Sequence, residues 1–175
     1  TFGYDAAGRR TSVTDALGQV TRTGYDAAGN ATTQTDALGA TTLAVYDAAG
    51  RAVRTVWVDG TSRQSGYDVL GRRTTETDES GRLTRFDYDA LGRLTSVTDA
   101  LDQVTAYAYD ELGNRISQTD ANGHVTRFAY DALGRQTTRA LPAVAGVAVE
   151  ERFAYDAVGE RTSRTDFAGR TTTYA

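Results

Sequence analysis

Aspartate is the residue that recurs where side chains could do chemistry, and it recurs in one pattern, Asp-x-x-Gly, along the 175-residue chain. Carboxylates in numbers suggest either acid–base catalysis or calcium binding. Acid–base work requires two carboxylates in contrasting environments, whereas here the pattern supplies one aspartate per glycine and no special pair. A calcium loop requires several oxygen ligands and a late glutamate, and a stretch such as TDANGH supplies too few. The single histidine, His124, follows Gly123 in one of these segments and is expected to be an exposed turn residue. One histidine builds no multi-histidine metal site, and an exposed turn histidine is not expected to serve as the base of a catalytic triad. Cysteine is absent, which excludes disulfides and thiolate-bound zinc and leaves the redox compartment open. The glycines stand about ten residues apart, unlike the clustered glycines ahead of a helix that cradle phosphates. Asn30-Ala31-Thr32 matches the N-glycosylation pattern, and we attach no function to it. The sequence therefore predicts no catalytic residues, no metal site, no cofactor and no enzymatic activity.

Charge and hydropathy narrow the classes further. All 19 basic residues are arginine, the net charge is −4, and the arginines are spread evenly. That distribution lacks the basic stripe a phosphate backbone needs, so no nucleic-acid partner is expected. No apolar run approaches the roughly 18 residues of a membrane-spanning helix, so no membrane span is expected. Arginine in place of lysine, with abundant Ala, Gly, Thr and Asp, reads as the codon bias of a GC-rich bacterial genome. The chain contains no methionine and starts and stops within its own pattern, which reads as a fragment of a larger protein.

The elements that carry these aspartates are repeats. Tyr-Asp-x-x-Gly recurs every 21 residues, at Tyr4, Asp5 and Gly8; Tyr25, Asp26 and Gly29; Tyr46, Asp47 and Gly50; and Tyr67, Asp68 and Gly71. It continues at Tyr88, Asp89 and Gly92; Tyr109, Asp110 and Gly113; and Tyr130, Asp131 and Gly134. The eighth copy, at Tyr155, Asp156 and Gly159, follows an interval of 25 residues. A weaker half-repeat, Thr-Asp-x-x-Gly, begins at Thr14, Thr35, Thr77, Thr98, Thr119 and Thr165, with Asp102 in the glycine place of the fourth. Between turns lie six or seven residues of alternating character, the signature of strands. Asp at the first turn position and Gly at the fourth predict a type I turn followed by a bulge, reversing the chain between antiparallel strands. The expected architecture is an all-β, antiparallel up-and-down meander of about fifteen strands covering residues 1–175.

Alternation puts each Tyr on the same face as the residue two before it, which is aromatic at Phe2, Phe86, Tyr107, Phe128 and Phe153, with Tyr174 in the corresponding place of the last strand. These predict an aromatic ladder that thins at Thr23, Ala44 and Ser65. The opposite face mixes Val104, Ala106 and Ala108 with Leu83, Arg85 and Asp87, so one face is more apolar and neither is wholly dry. Two places depart from the pattern. Trp57 occupies an aspartate position and predicts a bulge or local packing site; residues 141–150, with the only proline, Pro142, predict a longer apolar hairpin loop or a docking contact.

The segments YDAAGR, YDVLGR, YDALGR and YDELGN resemble the defining motif of the Rhs/YD-repeat family, over the whole chain. The resemblance implies part of a curved or spiralling β-sheet shell, as in Rhs polymorphic toxins, Tc toxin shell subunits and teneurins. It further implies a secreted or cell-surface bacterial protein whose shell encloses a C-terminal toxin domain, with flanking repeats and that domain as partners. The family's Asp-Pro-x-Gly-Leu-like cleavage segment has no counterpart, since Leu141 precedes Pro142. The alternative reading is an extracellular carbohydrate-binding or adhesion module, with tyrosines stacking on cell-surface glycans.

Overall fold

A computed structural model describes residues 1–144 and 147–174 as antiparallel strands joined by tight turns. Two compact units divide the chain, Thr1–Arg85 and Phe86–Ala175. The first holds β1 (Phe2–Tyr4), β2 (Arg10–Thr14), β3 (Val20–Tyr25), β4 (Ala31–Thr35), β5 (Thr41–Tyr46), β6 (Ala52–Val56), β7 (Ser62–Tyr67), β8 (Arg73–Thr77) and the start of β9 (Leu83–Tyr88). The second holds the rest of β9, β10 (Leu94–Thr98), β11 (Val104–Tyr109), β12 (Arg115–Thr119), β13 (Val125–Tyr130), β14 (Gln136–Val144), β15 (Val147–Tyr155), β16 (Arg161–Thr165) and β17 (Thr171–Thr173). Among the described residues each strand pairs with its neighbour in chain order, an all-β antiparallel meander of 17 strands. The excess over fifteen corresponds to the three-residue strands β1 and β17.

The turns follow the predicted chemistry. In the first, the Gly8 N–H donates to the Asp5 carbonyl at 3.0 Å and the Asp5 N–H to the Arg9 carbonyl at 3.0 Å. The second bond makes the turn five residues long, so the strands between turns run to five or six residues. Gly8 has φ 77°, a left-handed conformation that costs a glycine little. Asp102, in the glycine place of its half-repeat, adopts the same conformation at φ 58°, which the short polar side chain of aspartate tolerates.

Alternation is interrupted once per repeat. Phe2 faces Val13 and Gly3 faces Ser12, but Tyr4 faces Arg10, leaving Thr11 as an extra residue. The same shift precedes Tyr25, Tyr46, Tyr67, Tyr109, Tyr130 and Tyr155. Such a bulge brings the residue opposite the tyrosine onto the tyrosine's face, where unbroken alternation would put it on the other.

The registers also slip steadily. Ser12 lies opposite Arg22 and Arg22 opposite Thr35. Thr35 is one 21-residue period beyond Thr14, so the line of direct partners has advanced from Ser12 to the Thr14 position, two residues. In the second unit Ser117, Arg127 and Ala140 repeat the step, Ala140 being the counterpart of Thr119. Two residues at about 3.4 Å, set against two strand spacings of about 4.8 Å, correspond to a strand tilt of about 35°.

Gly24 shows what this backbone tolerates. A Cβ there would meet Thr33 Oγ1 at 2.3 Å, a clash with a rotatable hydroxyl rather than backbone. Ala129 already faces Thr138 in the same register. Gly24→Ala is therefore expected to stabilise by about 0.5–1 kcal/mol, by restricting the unfolded chain, and a lowered urea midpoint would contradict it.

Among the described residues no hydrophobic side chain is fully buried. In both units Tyr25, Tyr67, Tyr109 and Tyr130 are half-buried, whereas Val45, Asp87, Ala108 and Ala129 on the other face are exposed. Stability must therefore come from the backbone ladder and from cross-strand side-chain contacts rather than from a two-layer core.

Where a longer apolar hairpin loop was expected over 141–150, residues 141–144 and 147–150 instead continue the strands. Leu141 pairs with Val149 and Val144 with Val147, and the register shifts between Leu141 and Val144, where Pro142 cannot donate to the ladder. Residues 145 and 146 lie outside the described residues. Trp57 keeps the ordinary turn, not a bulge: the Gly60 N–H bonds the Trp57 carbonyl at 2.9 Å, while Asp59 accepts from the Thr61 N–H at 2.9 Å. Trp57 borders a groove with Asp36 and Ala40 of the preceding half-repeat turn.

Candidate functional site: the tyrosine–aspartate turns

Every tyrosine of the repeated motif ends a strand, every aspartate opens the following turn, and every glycine closes it with positive φ. The aspartate caps the turn from inside. Asp5 Oδ1 accepts the N–H groups of Ala7 at 3.0 Å and Arg9 at 2.9 Å, and Oδ2 accepts Arg9 Nε at 2.8 Å. Asp47, Asp89 and Asp131 bind Arg51, Arg93 and Arg135 in the same way. Where asparagine stands in place of arginine, the Asn30 and Asn114 amides make the equivalent bond to Asp26 and Asp110. These contacts depress the aspartate pKa values: in Asp5 the Arg9 backbone N–H contributes most, in Asp47 the Arg51 side chain.

The same arginine reaches forward to the next repeat. Arg93 Nη1 donates to the Asp110 carbonyl at 2.9 Å, and its guanidinium lies 4.9 Å from the centre of the Tyr109 ring. The Tyr109 hydroxyl returns a bond to the Leu94 carbonyl at 2.8 Å. Arg9 with Tyr25 and Arg135 with Tyr155 form matching clasps. The motif residues thus meet across repeats, not only within one. The arginine that joins them was visible in every YDxxGR copy, but its role depends on a partner 17 residues onward.

The predicted aromatic ladder is an aromatic–arginine ladder. Aromatic residues occupy alternate strands, about 9.6 Å apart at ordinary strand spacing, beyond the roughly 7 Å limit of ring–ring contact. Arg115 fills the gap, 5.7 Å from the Tyr107 ring and 4.8 Å from the Phe128 ring. A sugar stacking on Tyr107 or Tyr109 would meet a face already covered by a guanidinium.

One cluster escaped the sequence analysis. Glu151 is the one buried polar residue among those described, with 3% of its surface exposed. Arg164 Nε donates to its Oε1 at 2.5 Å, and Arg139 Nη2 lies 3.2 Å from Oε2. The Glu151 hydrogen bond, reinforced by its charge, raises the Arg164 pKa above its usual value. Arg139 also lies 4.8 Å from the Phe167 ring. Glu151→Gln keeps the shape but removes the charge between two guanidinia, and is expected to cost about 1 kcal/mol in chemical denaturation; an unchanged midpoint would refute the pairing as a stabilising element.

His124 Nδ1 lies 3.1 Å from Asp120 Oδ2, the place arginine takes in Arg82 and Arg170, and its side chain is mostly exposed. Among the described residues no group of three or more His, Asp or Glu side chains is placed to hold a metal ion. No helix is long and apolar enough to cross a membrane.

A family model described as RHS Repeat matches residues 4–42, 46–83, 67–104, 88–123 and 109–143. No curated protein matches the chain. Among solved structures, the TcdB2–TccC3 complex superposes with a TM-score of 0.72 at 19% identity, covering 98% of this chain and 12% of that one. The TcdB2–TccC3–Cdc42 complex gives 0.71 at 18% identity, covering 98% and 11%. A Photorhabdus luminescens Tc holotoxin pore gives 0.67 at 20% identity, covering 89% and 9%. At these identities the likeness is one of fold, and the chain spans about a tenth of the length of the solved chains it matches.

Proposed function

We propose that this chain, which belongs to the RHS repeat family, is a length of β-sheet wall in a hollow shell that encloses a toxin or effector domain of the same parent protein. Residues 1–175 act as one repeat array with no chemistry of its own, in a secreted or cell-surface bacterial protein. The observation that carries the reading is the register slip of two residues per repeat, present in both units. A sheet that closes or spirals requires strands tilted by about 35–45° and a constant stagger, and this register supplies the lower end of that range. The clasps support the same role: where arginine follows the turn glycine, as at Arg9, Arg93 and Arg135, they tie one repeat's turn to the next, so that the sheet is reinforced at its edge without a second layer. Similarity of backbone to TcdB2–TccC3 assemblies is consistent with a large repeat structure.

Electron microscopy of the full-length parent tests the reading. A closed hollow particle with density inside is the expected result. An open ribbon or rod would overturn it.

A further inference from the structure

We propose that the face of β5 and β6 opposite the tyrosines is a docking site for an acidic amphipathic helix, which lies on the sheet there as a second layer. Leu43 stands opposite Val56 and Val45 opposite Arg54, and cross-strand partners share a face. Leu43 and Val45 are 45% and 49% exposed.

The repeat shows that the fold does not require these residues. In β3, β7, β9, β11, β13 and β15 the place of Leu43 holds Arg, Gln or Ala, and that of Val45 holds Gly, Ala or Asp. Val56 replaces the threonine that closes β2, β4, β8, β10, β12 and β16, and Arg54 replaces the serine or threonine two residues earlier. The register and bulge of β5 with β6 match those of β3 with β4 and β7 with β8. Four departures therefore coincide on one face of one hairpin whose backbone is ordinary. The free face of an antiparallel sheet is usually polar, and aliphatic residues gathered on it mark a contact surface.

Charge selects the occupant. Arg22, three strands from Arg54, lies on the same face through its pairing with Thr35 and that of Thr35 with Thr41. Both arginines are exposed, and among the described residues neither has a hydrogen bond, ion pair or ring contact. The tyrosine face of the same unit differs: Arg10 stacks on Phe2, and Arg63 and Arg73 pair with Glu76. Glu76 is the one carboxylate in the strands of Thr1–Arg85, and it faces Ser65 on the tyrosine side. The face with Leu43 and Val45 thus carries unpaired cations and no carboxylate.

A second copy of the chain does not fit. Its strand carboxylates are engaged already, Glu76 and Glu151 by arginines on neighbouring elements, Asp87 by Ser96 and Glu150 by Arg152. Like faces brought together would set arginine against arginine. A phosphate or a sugar would leave Leu43, Val45 and Val56 uncovered. An added strand gains no main-chain bonds from a sheet face, whose N–H and C=O groups point along the sheet. A helix covers the aliphatic residues with its apolar stripe, and glutamates flanking that stripe reach Arg54 and Arg22.

Titration of the chain with a blocked, alanine-rich helical peptide of about 18 residues, carrying a leucine stripe flanked by glutamates, tests this. Binding is followed by anisotropy of the labelled peptide and located by methyl resonances. Shifts are expected at Leu43, Val45 and Val56, and a peptide with lysines in place of glutamates should bind about tenfold more weakly or worse. Arg22→Gln with Arg54→Gln should weaken the glutamate peptide about tenfold, and Arg22→Glu with Arg54→Glu should reverse the preference. Leu43→Ala with Val45→Ala, which reproduces Ala106 and Ala108 of β11, should abolish binding with the circular dichroism of the sheet unchanged. Because the chain alone is titrated, the outcome is independent of whether the parent closes into a shell. No binding at millimolar peptide, equal binding of both peptides, shifts confined to other residues, or arginine variants without effect would overturn the proposal.

Discussion

Tyr109→Ala is expected to destabilise the chain by about 2–4 kcal/mol, the largest single-residue effect expected of this sheet, whereas Tyr109→Phe should cost about 1 kcal/mol. The difference follows from what the ring does. Its hydroxyl bonds the Leu94 carbonyl at 2.8 Å, and its face receives Arg93 at 4.9 Å. Phenylalanine keeps the face and loses the hydroxyl; alanine loses both and strips the packing from a half-buried position. Stacking of the guanidinium contributes about 0.5–1 kcal/mol of this. Because repeats contact only their neighbours, the loss should appear as faster amide exchange in β10, β11 and β12 before it appears elsewhere. Urea denaturation with exchange mass spectrometry measures both. If Tyr109→Ala and Tyr109→Phe shifted the midpoint equally, the clasp would not be a stabilising unit.

Acid should dismantle the array over a narrow range. The carboxyl groups of Asp5, Asp26, Asp47, Asp59, Asp68, Asp78, Asp89, Asp110, Asp120, Asp131 and Asp166 are all held below the ordinary value of 3.8. In Asp78 and Asp166 the main cause is the backbone N–H of the fifth turn residue, followed by its arginine side chain. Asp59 depends first on the Thr61 hydroxyl, and Asp26 on the Asn30 amide. In Asp68 partial burial pushes the other way and is outweighed by the hydrogen bonds from Arg72 and Leu70. A carboxyl whose folded pKa is depressed stabilises the fold fully above its unfolded pKa and loses that contribution as pH falls through the folded value. The sheet signal in circular dichroism should therefore change little between pH 7 and about pH 5 and fall steeply below about pH 4. Individually these exposed groups matter little; seven of them lie in the turns that follow odd-numbered strands and four, Asp59, Asp78, Asp120 and Asp166, in the turns at the opposite strand ends, and this repetition makes their titration collective. A sheet signal unchanged at pH 2 would contradict this account.

Much of this architecture could be read from the chain because the repeat restates it eight times. Asp at the first turn position and Gly at the fourth are local requirements, settled by hydrogen bonds within five residues, so the turns at Asp5 and Asp131 needed no tertiary information. His124 was likewise legible as a turn residue, since its contact is with Asp120 in the same turn. Residues 141–144 and 147–150 were not legible as strand. Their composition is apolar and proline-bearing, and whether such a stretch loops or extends depends on the pairing of Leu141 with Val149. The buried Glu151 was invisible for a related reason: Arg139 and Arg164 lie on the strands to either side, 12 and 13 residues away.

The sequence by itself determined the all-β meander, its period, the turn chemistry and the face shared by Phe128 and Tyr130, because each depends on residues a few positions apart. Only the tertiary structure decided which arginines meet those rings and how far each strand slips past its neighbour. Pairing registers are set between strands, and the extra residue in each repeat's bulge carries Arg115 onto the face of Tyr107 and Phe128. Simple alternation places Arg115 on the opposite side, since a one-residue shift exchanges the two faces of a strand.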